Sequence, residues 1–181
     1  LCQMSIYHKV HDQKRKTVRR CPKSKNVYLR SVQSAFDFAA KNLTEGKFAT
    51  KIAKRLSLSK SNRPVMSLSN IQRHAQEGKI IVIAATITND ERLLVVPKFT
   101  ICAMRFTQTA KARIEKAGGK CMTFDELLLQ NPTGVNCQVL QGERKARKEY
   151  KYFGAAGLPH SKVEQKGDMK GRKGARGPRS W

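Results

Sequence analysis

GKIIVIAATITNDERLLVVPKFTICAMRFTQTAKARIEKAGG, Gly78 to Gly119, is the most apolar part of an otherwise strongly basic chain. Lys79 to Thr88 is dominated by β-branched residues (Ile80, Ile81, Val82, Ile83, Thr86, Ile87, Thr88). Near-continuous apolarity over that length predicts a strand covered on both faces. Asn89-Asp90-Glu91 reads as a turn, since Asn and Asp bond their own backbone and tolerate left-handed geometry. Leu93 to Val96 then reads as a return strand, closed at Pro97, which has no N–H for a ladder. Phe99 to Phe106 reads as a third strand, and Thr109 to Ala117 as a helix ended by Gly118-Gly119 at positive φ. Strand, strand, strand, helix makes a core-forming scaffold with no visible active site.

Working outward, charge dominates. The 181 residues carry 37 Lys and Arg against 13 Asp and Glu, a formal net charge of +24. Residues 1–30 hold nine bases and one acid, residues 31–140 sixteen and eight, and residues 141–181 twelve and four. Each part is net +8, but the middle spreads it over 110 positions, so the two ends are roughly three times as densely charged. Such a charge requires a polyanionic partner, of which nucleic acid is the foremost. The hydrophobic content of 39% with 7% aromatics supports one modest core.

The five cysteines, Cys2, Cys21, Cys102, Cys121 and Cys137, are odd in number and lack CxxC spacing, which reads as reduced thiols. Cys2 with His8 and His11 has no fourth ligand at a suitable spacing, so no metal or other cofactor is expected. There is no apolar run long enough for a transmembrane helix and no secretory core near Leu1.

N-terminal to the central stretch, residues 1–28 have no hydrophobic period and contain the single-sign run Lys14 to Arg20, read as an arm on phosphates. Tyr28 to Leu43 is amphipathic through Leu29, Val32, Phe36, Ala39 and Leu43. Phe48 to Leu58 repeats the pattern with Phe48, Ile52 and Leu56, leaving Lys47, Lys51, Lys54 and Arg55 on a basic outer face. Together they form a helical hairpin. Ser59 to Ser69 is a polar loop, and Ser69 with Gln72 forms a capping-box pattern for a short helix ending near Gly78.

C-terminal to it, Lys120 to Phe124 reads as a short strand. Thr123 and Glu126 then cap a helix carrying Leu127, Leu128 and Leu129, and Cys137 to Leu140 is a last strand. Asp125 and Glu126 are explained by that first helical turn and its dipole, with no catalytic role. From Gly142 the chain is basic and Gly-punctuated. Glu143 to Phe153 has helical potential, and the remainder is too polar to fold without a partner.

Several stretches together resemble a known family. They are Pro22-Lys23-Ser24-Lys25 with Tyr28-Leu29-Arg30, Ser61-Asn62-Arg63-Pro64 with Ser67-Leu68-Ser69, and Thr86-Ile87-Thr88 with Val96-Pro97-Lys98. Ala117-Gly118-Gly119-Lys120 before Thr123-Phe124-Asp125 follows, then Gly142 with Arg144-Lys145, Tyr152-Phe153-Gly154, Pro159-His160-Ser161 and Gly171-Arg172-Lys173. In that order the chain resembles, from about Lys14 to Ser180, the eukaryotic and archaeal large-subunit ribosomal protein numbered eighteen. That family is related in fold to bacterial large-subunit ribosomal protein fifteen. Val65 stands where the family tends to have a second proline, and the first ten residues carry no recognisable match.

The resemblance implies an α/β fold, an irregular superhelical core of β-β-α turns with a helical hairpin and basic extensions. Charge distribution and periodicity divide the chain into an arm (1–28), a core (29–141, with the hairpin at 29–58 and the mixed unit at 78–141) and an extension (142–181). The resemblance implies a non-enzymatic constituent of the cytosolic large ribosomal subunit that passes through the nucleolus during assembly. Its partners would be ribosomal RNA and neighbouring large-subunit proteins, with no membrane and no small-molecule substrate.

The RNA-contacting candidates follow from charge and position. In the arm they are Lys14, Arg15, Lys16, Arg19 and Arg20, leading to Lys23, Lys25 and Arg30. The loop adds Lys60, Asn62 and Arg63, and the core adds Lys111, Arg113, Lys116 and Lys120. The extension adds Arg144, Lys145, Arg147, Lys148, Lys151 and Tyr152, then His160, Lys170, Arg172, Lys173, Arg176 and Arg179. A basic-tailed DNA- or chromatin-binding protein is the alternative, weakened by the lack of a helix-turn-helix or zinc motif. An RNA-processing enzyme is disfavoured, because there is no phosphate-cradling Gly loop, HExxH or nucleophile elbow.

Overall fold

The computed structural model describes residues 19, 21–43, 46–156 and 163, and it divides into one unit through Gly142 and another from Glu143. The basic run Lys14 to Arg20 is described only at Arg19, and residues beyond 156 only at Val163.

The first unit is α/β, built on a five-stranded sheet whose pairings are all parallel. Helices α1 (Val27–Asn42) and α2 (Lys47–Ser57) form the expected hairpin. After them come β1 (Met66–Ser67), α3 (Leu68–His74), β2 (Ile80–Thr88) and β3 (Thr100–Phe106). The unit continues through α4 (Gln108–Lys116), β4 (Lys120–Met122), α5 (Phe124–Gln130) and β5 (Cys137–Leu140). Strand β2 is central. It pairs along one edge with β3, which pairs onward with β4. Its other edge is shared by β5 against Ile80–Ile83 and β1 against Ile87–Thr88.

The period-2 alternation of the strands sorts their side chains onto two cores. Val82, Ala84, Cys102 and Met122 meet Leu29 and Phe36 of α1, Ile52 and Leu56 of α2, and Phe124 and Leu127 of α5. Ile81, Ile83, Ile87, Ile101 and Ala103 meet Leu68 and Ile71 of α3 and Ala110 and Ile114 of α4. The chain steps one way across the sheet with α3 and α4 on one face, and back with α5 on the other. A uniform crossover hand demands this arrangement.

The helix boundaries have local causes. Asn26 Oδ1 accepts from Tyr28 N at 3.0 Å to open α1. Thr107 caps α4, and Thr123 with Glu126 forms the anticipated capping box of α5. Gly118, at φ +73, ends α4 as expected.

Three expectations need correction. Leu93 to Val96 is not a return strand, and the next strand, β3, runs parallel to β2. Because β3 runs parallel to β2, residues 89–99 must carry the chain back along the sheet, and they do so as an open connection. The short helix begins at Leu68, with Ser67 at the cap position, and stops at His74; the Ser67 and Ser69 hydroxyls bond each other at 3.0 Å instead of forming a capping box. In the second unit, Glu143 to Phe153 forms two 3-10 turns, Arg144–Ala146 and Lys148–Tyr152, in place of an α-helix.

Gly134 sits at φ +79, and a Cβ there would overlap the Phe48 ring. Gly134→Ala combines left-handed strain with a clash against α2, and should lower the unfolding free energy of the first unit by about 2–4 kcal/mol. Urea denaturation followed by circular dichroism measures the loss; an unchanged midpoint would contradict this packing.

Candidate nucleic-acid interface

The segment entering α1 is pinned to the core while its cations stay outside. Pro22 is buried, and Ser57 Oγ donates to the Arg19 carbonyl at 3.3 Å, tying the segment to α2. Arg19, Lys23, Lys25 and Arg30 are exposed, and Arg30 Nε donates to the Ser24 carbonyl at 2.8 Å. Lys14, Arg15, Lys16 and Arg20 lie outside the described residues.

In the next loop, Lys60 and Asn62 are exposed on a 3-10 turn held by Gln141 Nε2, which donates to the Asn62 carbonyl at 3.0 Å. Arg63 is different. It is half-buried, with Nη1 directed at Met104 Sδ at 2.7 Å and its Nε buried without a hydrogen-bond partner. Burial lowers its pKa, though a guanidinium stays charged at any ordinary pH.

On α4 the predicted cationic face divides. Lys111 and Lys116 are exposed, as is Lys120 at the start of β4. Lys111 Nζ lies 3.8 Å from Glu115 in an exposed i,i+4 pair of little energetic consequence. Arg113 instead turns onto the connection between β2 and β3. It donates to Asn89 Oδ1 at 2.7 Å, to the carbonyls of Asp90 at 2.9 Å and Leu94 at 3.2 Å, and to that of Leu93. The same connection is anchored at Asp90, whose carboxyl is held below the usual range chiefly by the Ser69 hydroxyl and then by the Arg92 N–H. Arg113 therefore serves the fold, with both Nη atoms committed to protein oxygens.

In the second unit, Arg144, Lys145, Arg147 and Lys148 are exposed on the two turns, as is Tyr152. The Arg147 guanidinium carbon stands 5.2 Å from the Phe153 ring centroid, and Tyr150 meets Phe153 edge to face at 6.0 Å. Such cation and ring assemblies offer flat surfaces to bases. The Lys151 side chain, His160, Lys170, Arg172, Lys173, Arg176 and Arg179 lie outside the described residues.

Sequence reasoning omitted one set of cations from the candidate residues. Lys47, Lys51 and Lys54 form an exposed stripe along α2, legible as the polar face of its period. Arg55, read as part of that face, instead donates Nη1 to the Leu140 carbonyl at 2.7 Å, joining α2 to β5.

No group of three His, Cys, Asp or Glu suited to a metal occurs among the described residues, which do not include Cys2, His8 and His11. Burial pushes up the thiols of Cys102, Cys121 and Cys137, most strongly Cys102, whereas Cys21 is exposed. No helix among the described residues is long and apolar enough to cross a membrane.

Among the described residues, exposed cations on several elements of the parallel α/β unit and on the turns after it mark a strongly basic α/β protein. Comparison with known proteins narrows that class. The family described as ribosomal protein 60S L18 and 50S L18e matches residues 5–180, and the chain belongs to it. The match reaches into the first ten residues, where no motif was recognisable by eye. Among its relatives, large ribosomal subunit protein eL18 of Drosophila melanogaster is 49% identical over 177 residues, covering 94% of each chain. The protein of the same name from Diaphorina citri is 44% identical over 167 residues, covering 90% of this chain and 88% of the relative. That from Taenia asiatica is 47% identical over 156 residues, covering 83% and 86%.

Arg113→Lys keeps the charge but loses the planar fork, so it should destabilise the first unit by about 1–2 kcal/mol, nearly as much as Arg113→Ala. A thermal melt checks this; wild-type stability in the lysine variant would contradict a structural role for Arg113.

Cys102 remains a neutral thiol in the fold while the unfolded chain ionises near the ordinary thiol value, about 8.5. The unfolded state then binds fewer protons, so this group's contribution is intact below that pH and is lost progressively above it. Iodoacetamide at pH 8 should label Cys21 readily and Cys102 only after denaturation, as read by peptide mass spectrometry.

Proposed function

We propose that this chain is a structural constituent of the large ribosomal subunit, binding ribosomal RNA and contributing to translation without catalysing a reaction. Membership of the family carries the reading, and the surplus of exposed lysine and arginine supplies its physical basis. Phosphates supply the affinity, since A-form RNA presents its backbone and shape more readily than its base edges. In this reading the contacts are Arg19, Lys23, Lys25, Arg30, Lys60, Asn62, Lys111, Lys116 and Lys120 on the first unit, joined by the α2 stripe. Arg144, Lys145, Arg147, Lys148 and Tyr152 contribute from the second unit, and the remaining basic residues of both termini extend the footprint. Arg63 lends charge from a half-buried position. The protein works on the cytosolic ribosome beside other large-subunit proteins, after assembly in the nucleolus.

Two measurements test this. If about eight phosphates are engaged, log K against log salt should fall with a slope on the order of −6 to −7 in filter binding to purified large-subunit RNA; a slope near −1 would refute the phosphate footprint. The tagged protein should sediment with the large subunit in a sucrose gradient, and preference for duplex DNA over that RNA would favour the chromatin reading.

A further inference from the structure

We propose that the groove beside Tyr28 receives an unpaired RNA base, which stacks on the tyrosine ring while its flanking phosphates lie along Lys23, Lys25 and Arg30. The proposal rests on the RNA-binding reading above and adds to it a stacking seat for one unpaired base.

Tyr28 is 83% exposed on the first turn of a helix that buries its neighbour Leu29. The Asn26 cap fixes that turn, so the ring's root is rigid. Tyr28 forms part of an open groove of about 190 Å³ whose other walls include Val32, Ala103, Met104, Thr123 and Phe124. Phe124 is itself braced edge to face against Phe36 at 6.0 Å, so the apolar wall is firm. A rigid slot with an exposed aromatic wall suits a flat heteroaromatic ring, and tyrosine stacks any base at low conformational cost.

Charge selects the occupant. No acidic residue occurs from residue 13 to residue 36, and the exposed Lys23, Lys25 and Arg30 flank Tyr28 along the chain, outside the groove's own walls. At another point of the groove Met104 touches the half-buried Arg63 guanidinium, adding a further positive charge. The exposed carboxylate of Asp125 also borders the groove. It repels phosphate from that side, so the backbone is held to the cationic segment and the uncharged base faces inward. A neighbouring protein's apolar side chain would gain nothing from this distribution of charge.

Binding of the full-length protein to purified eukaryotic large-subunit ribosomal RNA, measured across a salt series, tests the seat. Tyr28→Ala should weaken binding about tenfold, the scale of one lost base stack, without altering the salt slope. Tyr28→Phe should stay within about twofold of wild type, and both should melt as wild type does because the ring is exposed. Lys25→Ala with Arg30→Ala should instead make the salt slope shallower. Wild-type affinity in Tyr28→Ala, or an equal loss in Tyr28→Phe, would overturn the stacking proposal while leaving the RNA-binding reading intact. Unchanged RNA affinity in Tyr28→Ala, with loss of incorporation into the large subunit, would overturn it in favour of a protein partner on this face. Failure of the wild-type protein to bind the RNA would overturn the parent reading, and this seat with it.

Discussion

Burial of β2 on both faces is the constraint on which the first unit depends. Val82 and Ala84 point to one core, Ile81, Ile83 and Ile87 to the other, and all five are buried. A strand of this kind cannot lie at a solvent face, so helices must cover both sides of the sheet. Parallel pairing follows from the same need, because the crossovers are what deliver the helices. Apolar burial at about 25 cal/mol per Å² is the main force available to a chain whose charges repel one another.

Three arginines of the first unit are taken up by the fold. Arg55 bonds the Leu140 carbonyl, Arg63 lies against Met104, and Arg113 fastens the connection after β2. Each brings a planar fork and a weakly hydrated charge to a partly buried site, which guanidinium tolerates better than ammonium. The lysines of α2, α4 and the segment before α1 stay exposed, where a compact ammonium keeps its hydration.

Most of the fold was legible, in proportion to how local its causes are. Helices α1, α2, α4 and α5 announce themselves through period and caps, and β5 was delimited at Cys137 to Leu140. The aliphatic run Leu93 to Val96 misled because composition favours a strand, but a strand needs a partner edge. Leu94 and Val95 are exposed on the connection that parallel pairing requires. Among the site residues, exposure of Lys23, Lys25, Lys116 and Lys120 follows from their place on polar stretches, whereas the inward turn of Arg113 depends on carbonyls about twenty residues away.

The sequence by itself determined the α/β class, the charge that demands a polyanion, and the resemblance that led to the family. These are properties of composition, periodicity and ordered motifs, and they survive ignorance of which strand meets which. Only tertiary structure decided that β1 and β5 share one edge of β2, that three arginines are held by the fold, and that Tyr28 stands over a groove. Each depends on contacts between distant segments, and the energy of such a contact exists only once the chain has brought both partners together.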